Sequence, residues 1–523
     1  MPRRPLRLRL LLAAPLLLIG LAARADAPED ERRRPARAYS FDAEFAPVAA
    51  APEMGATPGG AQDITFFRSR ALAGEVPHPN VLTPEGLFSE HDLPLRAGPP
   101  CPQLLCVAAE AVPSTLLVQP DVRALAQLGF SSGIDPTTFR RAPMHLVAVI
   151  DKSGSMSGAP LELVKQSLTH ALDLLGPDDH LSIVLYGDRA HVYLQPTAVR
   201  ERRALAAQIA RIESAGSTAM EEGLRVGFDL AREHARRLGG GARVMLFTDE
   251  RPNVGRTDAE SFMGMARAAS TAGVGMTTIG VGVQFGAELA AEIASVRGGN
   301  LFFFSDHDRM KKVFKEDFDT MVTELAYDLH LTVTPAKGLK IAGVYGIPGK
   351  ALKWREDGAI ELAVETIFLS RKKGAIYLAF AADGAPNLPE PVLKDKSQIA
   401  SVGLRYHERG GQARAQTLAI TPDAPASASV GLRRGRLLVD QATTLAKATA
   451  LHHERNDQEG AYQLVHALAG VFRQSGDPQL HEERQLIERL EGTLARLSGH
   501  AGEPSAALAP SRDRVSGLPP RPR

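Results

Sequence analysis

Residues 145–150 read HLVAVI and are followed at once by Asp151-Lys152-Ser153-Gly154-Ser155. An apolar run of this length with no polar alternation predicts a strand buried on both faces. Downstream, Leu161, Val164, Leu168, Ala171, Leu172 and Leu175 recur at helical spacing until Gly176-Pro177 stops the helix. A second buried strand follows at 181–186 (LSIVLY), and Met220, Leu224, Phe228 and Ala231 mark another amphipathic helix. Strands at 242–248, 275–281 and 301–304 then alternate with helices at 257–273, 287–296 and 308–326. This alternation predicts an α/β fold over 145–326, a doubly wound, mostly parallel sheet covered on both faces.

The flanks read differently. Residues 1–25 carry Arg3, Arg4, Arg7 and Arg9, then an apolar run over 10–23, then Ala23-Arg24-Ala25. That is the three-part pattern of a signal peptide, too short for a membrane span. Residues 26–60 read as a disordered leader, 61–144 as an N-terminal β segment of strands and loops, and 499–523 as a disordered tail. Leu329, Leu331 and Val333 alternate, as do Ile376, Leu378 and Phe380, which predicts an antiparallel, sandwich-like β domain over 327–425. Residues 426–498 read as a helical domain, a small bundle with breaks near Asn456 and at Gly476-Asp477-Pro478.

Composition narrows the function. The chain has 523 residues with 61 Lys+Arg against 60 Asp+Glu, a net charge of +1 that argues against nucleic-acid binding. Removing residues 1–25 takes away five arginines and no acid, leaving −4. Cys101 and Cys106 are the two cysteines. In an oxidising compartment they close a small loop, and the alternative is a pair of buried thiols. They do not pair within one regular strand, because positions five apart point to opposite faces.

By spacing alone Asp151-x-Ser153-x-Ser155 is a weak motif, expected by chance about once in ten chains of this length. Its place at the carboxyl end of a parallel strand is informative, because open α/β sheets bind ligands there. Thr218, in Gly216-Ser217-Thr218, and Asp249, after the strand at 242–248, fall at the same edge. Two carboxylates and three hydroxyls form a hard oxygen set that suits Mg²⁺ better than Zn²⁺ or copper. Neutral hydroxyls leave such an ion much of its charge, so that it accepts an acidic side chain from another protein.

Residues 145–326 resemble a von Willebrand factor type A domain, with Asp151, Ser153, Ser155, Thr218 and Asp249 matching its metal-ion-dependent adhesion site. The resemblance implies that the serines and the threonine bind a divalent metal (Mg²⁺, or Mn²⁺ or Ca²⁺), and that the aspartates bind it directly or through water. Thr248-Asp249-Glu250 departs from the family's usual Thr-Asp-Gly at Glu250. From about Ile64 to Thr421 the layout is similar to exported bacterial proteins of this class, and distantly to inter-alpha-trypsin inhibitor heavy chains. In those proteins a β domain built from the flanking segments surrounds or adjoins the A domain.

Three function classes remain in view. The first is an exported, non-catalytic binding protein of the periplasm, cell surface or exterior, whose partner is a protein offering an acidic side chain. No small-molecule substrate is inferred. The second is an enzyme, dinucleotide-dependent or a metal-assisted hydrolase. Gly280-Val281-Gly282 and Gly286 have G-x-G-x-x-x-G spacing instead of G-x-G-x-x-G, and neither H-E-x-x-H nor G-x-S-x-G occurs. The third is a scaffold whose metal is purely structural. Reading Asp151, Ser153 and Ser155 as a capping loop leaves Thr218 and Asp249 unexplained.

Overall fold

The computed structural model describes residues 54–58, 64–82, 84–96, 100–135, 137–238, 241–249, 256–281, 296–304, 314, 318, 322–347, 351–370, 374–384, 397–408 and 411–500. In chain order, β1 (Met54–Pro58) precedes α1 (Thr65–Leu72), α2 (Pro84–Ser89), β2 (Cys106–Pro113) and β3 (Val122–Ser132). The α/β part runs β4 (Met144–Asp151), α3 (Ala159–Leu174), β5 (His180–Tyr186), β6 (Ala190–Ala198), α4 (Arg202–Ala210) and α5 (Met220–Leu238). It continues with β7 (Gly241–Thr248), α6 (Arg256–Thr271), β8 (Val274–Val281) and β9 (Gly299–Phe304). Then come β10 (Glu324–Pro335), β11 (Leu339–Tyr345), β12 (Leu352–Trp354), β13 (Ile360–Ser370), β14 (Ala375–Ala382), β15 (Ala400–Glu408) and β16 (Ala413–Ile420). Helices α7 (Val430–Arg455), α8 (Gln458–Ser475) and α9 (His481–Leu497) follow.

The α/β part is doubly wound. Its sheet has the order β6-β5-β4-β7-β8-β9, parallel throughout except for the antiparallel edge strand β6. Every residue of β4 is buried, and its alternate residues serve opposite faces. Leu146, Ala148 and Ile150 pack with Leu161, Val164 and Leu168 of α3, whereas Val147 and Val149 pack with Leu224 and Phe228 of α5. At Gly227 the α5 backbone comes so close to β4 that an added Cβ would sit 2.5 Å from a Val149 methyl. Only glycine permits that approach.

The second sheet collects strands from both sides of the α/β part. Its order is β11-β14-β3-β1-β13-β10-β15-β16, with β2 paired to β3 and β12 to β13. The Gln416 side chain of β16 donates to the Val107 carbonyl of β2 (2.8 Å) and accepts from the Val107 amide (3.0 Å). That amide ties the terminal strand β16 to β2, and Leu128, Phe380, Leu331 and Val402 share one core within the sheet. Cys106, the first residue of β2, is disulfide-bonded to Cys101 in the preceding loop. The three final helices pack onto this sheet and onto the N-terminal helices. Gly435 of α7 faces the Tyr377 ring, and Arg68 of α1 pairs with Glu483 of α9 at 2.6 Å.

Chain entry to and exit from the α/β part lie at one pole, the amino ends of the parallel strands. Asp179 accepts from Arg141 and from the Met144 amide, the first residue of β4. Arg243, 2% exposed, donates to the Met276 and Gly298 carbonyls, to Thr277, and to Glu324 at the start of β10 (2.5 Å).

Several expectations are corrected here. The leader assigned to 26–60 contains β1, whose order comes from backbone pairing with β13 and β3, a signal that composition does not carry. The segment expected to hold only strands and loops includes α1 and α2. In α1, Phe67 and Ala71 are buried at i,i+4 spacing on a helix too short to show a full period. The helix assigned to 308–326 overruns, because β10 already begins at Glu324. Register shifts after Glu324 and Tyr327 mask its period of two. The β6 strand and α4 have no counterpart in the sequence reading; β6 is a half-exposed edge. In the tail assigned to 499–523, His500 stacks on Tyr462. The signal peptide at 1–25, Glu250, the 282–286 turn, nearly all of the 287–296 helix and residues 501–523 lie outside the described residues.

Candidate metal centre

Strand β4 ends in Asp151, which is 0% exposed and has a neighbour on each side. Parallel pairing sets Tyr186 of β5 opposite Asp151, and Phe247 of β7 opposite Ile150. The Tyr186 hydroxyl (3.2 Å) and the Thr248 hydroxyl (3.0 Å) both donate to Asp151 Oδ2. The Ser153 amide donates to Oδ1 at 2.9 Å. The carboxylate is thus held by three donors from three segments, and buried Met156 anchors the loop that follows.

Beyond Asp151 the oxygens form a chain. Ser153 Oγ lies 3.0 Å from Ser155 Oγ, and Ser155 Oγ donates to Asp249 Oδ1 at 3.0 Å. Asp151 and Ser153 are buried, Ser155 is exposed and Asp249 is half-buried, so the chain opens to solvent at Ser155.

Thr218 reaches this edge on a strap at 215–219. The Ala215 amide donates to the Lys152 carbonyl (2.6 Å), the Lys152 ammonium to the Ala215 carbonyl (2.9 Å), and the Gly154 amide to the Gly216 carbonyl (3.1 Å). On its far side the Ala219 amide donates to the Gly187 carbonyl at 2.8 Å. Gly216 has φ +89°, and a Cβ there would come within 2.8 Å of the Asp188 amide nitrogen, so the bend requires glycine. The Ser217 amide and hydroxyl donate to Asp188 Oδ1 and, with the nearby Lys152 charge, hold its carboxyl below the usual range.

The structure therefore brings Asp151, Ser153, Ser155 and Asp249 into one hydrogen-bonded chain and puts Thr218 on the strap bonded beside it. Sequence reasoning missed Tyr186, Thr248, Asp188 and Ser217. Tyr186 and Thr248 are strand-terminal residues, the one signal that could have found them.

The donor set fits a divalent ion. The described residues contain no group of three or more His, Cys, Asp or Glu placed to hold a metal, so a cation here depends on the hydroxyls. Asp151, Ser153, Ser155, Thr218 and Asp249 are all oxygen donors, which matches Mg²⁺-type chemistry. Hydroxyl protons that now bridge oxygen to oxygen are free to turn outward when a cation takes their place.

Residues 145–316 match the family model of the von Willebrand factor type A domain. The chain carries a von Willebrand factor type A domain. An uncharacterized protein of Synechocystis sp. is 30% identical over 205 residues, covering 37% of this chain and 48% of that protein. Inter-alpha-trypsin inhibitor heavy chain H4 of Homo sapiens is 26% identical over 171 residues, covering 31% of this chain and 18% of that protein. Among solved structures, a von Willebrand factor type A protein from Catenulispora acidiphila covers 74% of this chain and 90% of its own, with 16% identity and a TM-score of 0.46. The chain thus spans about half or less of the curated relatives' length.

Proposed function

We propose that this chain is an exported, non-catalytic protein that binds a protein partner through a divalent ion, Mg²⁺ or else Mn²⁺ or Ca²⁺, at its von Willebrand factor type A domain. The observation that carries the reading is the chain of oxygens from Ser153 through Ser155 to Asp249, buried at Ser153 and open to solvent at Ser155. Asp151, Ser153, Ser155, Thr218 and Asp249 would hold the ion, which supplies a positive contact for a carboxylate on the partner. Asp151 is fixed by its three donors, and the strap fixes Thr218, so the chain itself orients the donors before anything binds. The Lys152 ammonium beside the rim adds positive charge that suits an acidic partner. The Cys101–Cys106 disulfide supports export to the periplasm, cell surface or exterior. No described helix is long and apolar enough to cross a membrane.

The test is affinity capture from cell-envelope extract with the full chain, in Mg²⁺ and in chelator, alongside Asp151→Ala. Capture lost in both chelator and mutant supports the reading. A partner held equally by the mutant in chelator defeats it and moves the binding surface elsewhere. A fall in melting temperature with capture intact favours a structural metal.

A further inference from the structure

At the pole opposite the candidate metal centre, three histidines from distant parts of the chain meet. His145 is the second residue of β4, His180 is the first residue of β5 and pairs with it in register, and His234 lies near the end of α5. The His145 and His234 ring centroids are 4.0 Å apart, and those of His180 and His234 are 4.7 Å apart. His145 is 1% exposed. Its Nε2 lies 2.8 Å from the Ser182 hydroxyl, while its Nδ1 is buried without a hydrogen-bond partner.

Among the described residues, the acidic groups near these rings are engaged elsewhere. From β7, Ala242 stands opposite His145, and the Arg243 guanidinium goes to Glu324 instead. From β6, Ala198 stands opposite His180. On α5, Arg237 acts on His234, and Glu233 faces solvent with Arg237 at 3.6 Å. Asp179, next to His180, is taken by Arg141 and by the Met144 and Gly176 amides.

We propose that His145, His180 and His234 form an acid-sensitive latch: neutral rings let α5 pack on β4 and β5, and protonation releases that end of the helix. A second proton in the cluster sets like charges about one ring apart with no counter-ion. Burial, then the His234 and His180 charges, push the His145 pKa down to about 3, and burial with the His180 and Arg237 charges lowers that of His234. The latch itself needs neither ion nor partner.

The test is hydrogen–deuterium exchange of the full chain in chelator at pH 7.5 and 5.5, with each rate divided by its intrinsic value. One buried histidine kept neutral in the closed form shifts the open population about tenfold per pH unit below its ordinary pKa of about 6.5. Protection of α5 should therefore fall about tenfold at pH 5.5, while α3, on the other face of the sheet, stays unchanged. His145→Gln keeps a polar group facing Ser182 but cannot take the proton, and should cut the acid response below threefold. His234→Lys, a permanent cation at the half-buried position, should lower α5 protection already at pH 7.5. Equal α5 protection at the two pH values in the wild type overturns the proposal. So does an undiminished acid response in His145→Gln, or wild-type protection in His234→Lys. These outcomes are independent of whether the oxygen site binds metal.

Discussion

Replacing Asp151 with asparagine separates the charge of this residue from its hydrogen bonds. Oδ1 accepts from the Ser153 amide, and Oδ2 accepts from the Tyr186 and Thr248 hydroxyls. An asparagine placed with its carbonyl toward Ser153 keeps the first bond. Its NH₂ then meets two hydroxyls, each able to turn and accept. All three neighbours stay satisfied, so the metal-free protein should change in stability by no more than about 1 kcal/mol. Ion binding should respond very differently. The gross attraction between a unit charge and a dication about 4 Å apart is about 8 kcal/mol at an effective dielectric of about 20. Desolvation cancels most of this, and a net loss of about 3 kcal/mol corresponds to more than a hundredfold in Kd. Urea unfolding in chelator measures the first quantity, and calorimetric titration with Mn²⁺ measures the second. Loss of more than about 3 kcal/mol in chelator would make Asp151 a structural hub. Mn²⁺ affinity within threefold of wild type would remove Asp151 from the ion site.

Other consequences follow from buried charges and cross-links. Asp440 is 0% exposed, accepts from the Leu117 amide at 2.7 Å, and has Arg436 at 3.7 Å; burial raises its pKa to about 6. Its folded value lies above the unfolded one, so it costs stability as pH rises from about 4 through about 6. Asp440→Asn should stabilise the protein by about 2 kcal/mol at pH 7.5, with the gain shrinking toward zero near pH 4 in urea titrations. Arg243→Met strands Glu324 and should cost about 3–5 kcal/mol. In a double-mutant cycle with Glu324→Gln, the paired loss should be clearly smaller than the sum of the single losses. Removing the disulfide with Cys101→Ser and Cys106→Ser should cost about 2 kcal/mol by loop entropy, read from the same unfolding curves.

How much was legible depended on whether the signal was local. Strands β4 and β7 are buried on both faces, so their apolar runs stood out, and Asp151 and Asp249 could be read from where those runs end. Thr218 was legible from the Gly216-Ser217-Thr218 turn before α5. The grip of Tyr186 on Asp151 was not, because it arises from inter-strand register. The same holds for Asp188 with Ser217, and for His145, His180 and His234. Strand β1 is ordered by its partners, and the bulged start of β10 breaks the alternation that reveals β10 from Leu329 onward. The breaks between α7, α8 and α9 were legible because Asn456 and Gly476 take left-handed conformations that end helices.

The chain enters and leaves the α/β part at the pole where Arg141 grips Asp179 and Arg243 grips Glu324, while the candidate ion site occupies the other. Tension between a partner held there and the ten-stranded sheet would run lengthwise down β4 and its parallel neighbours. The load would fall on rows of backbone hydrogen bonds pulled in shear, which must fail together, whereas bonds loaded as a zipper fail one at a time. Stretching along this axis should meet far more resistance than peeling β6 from the edge.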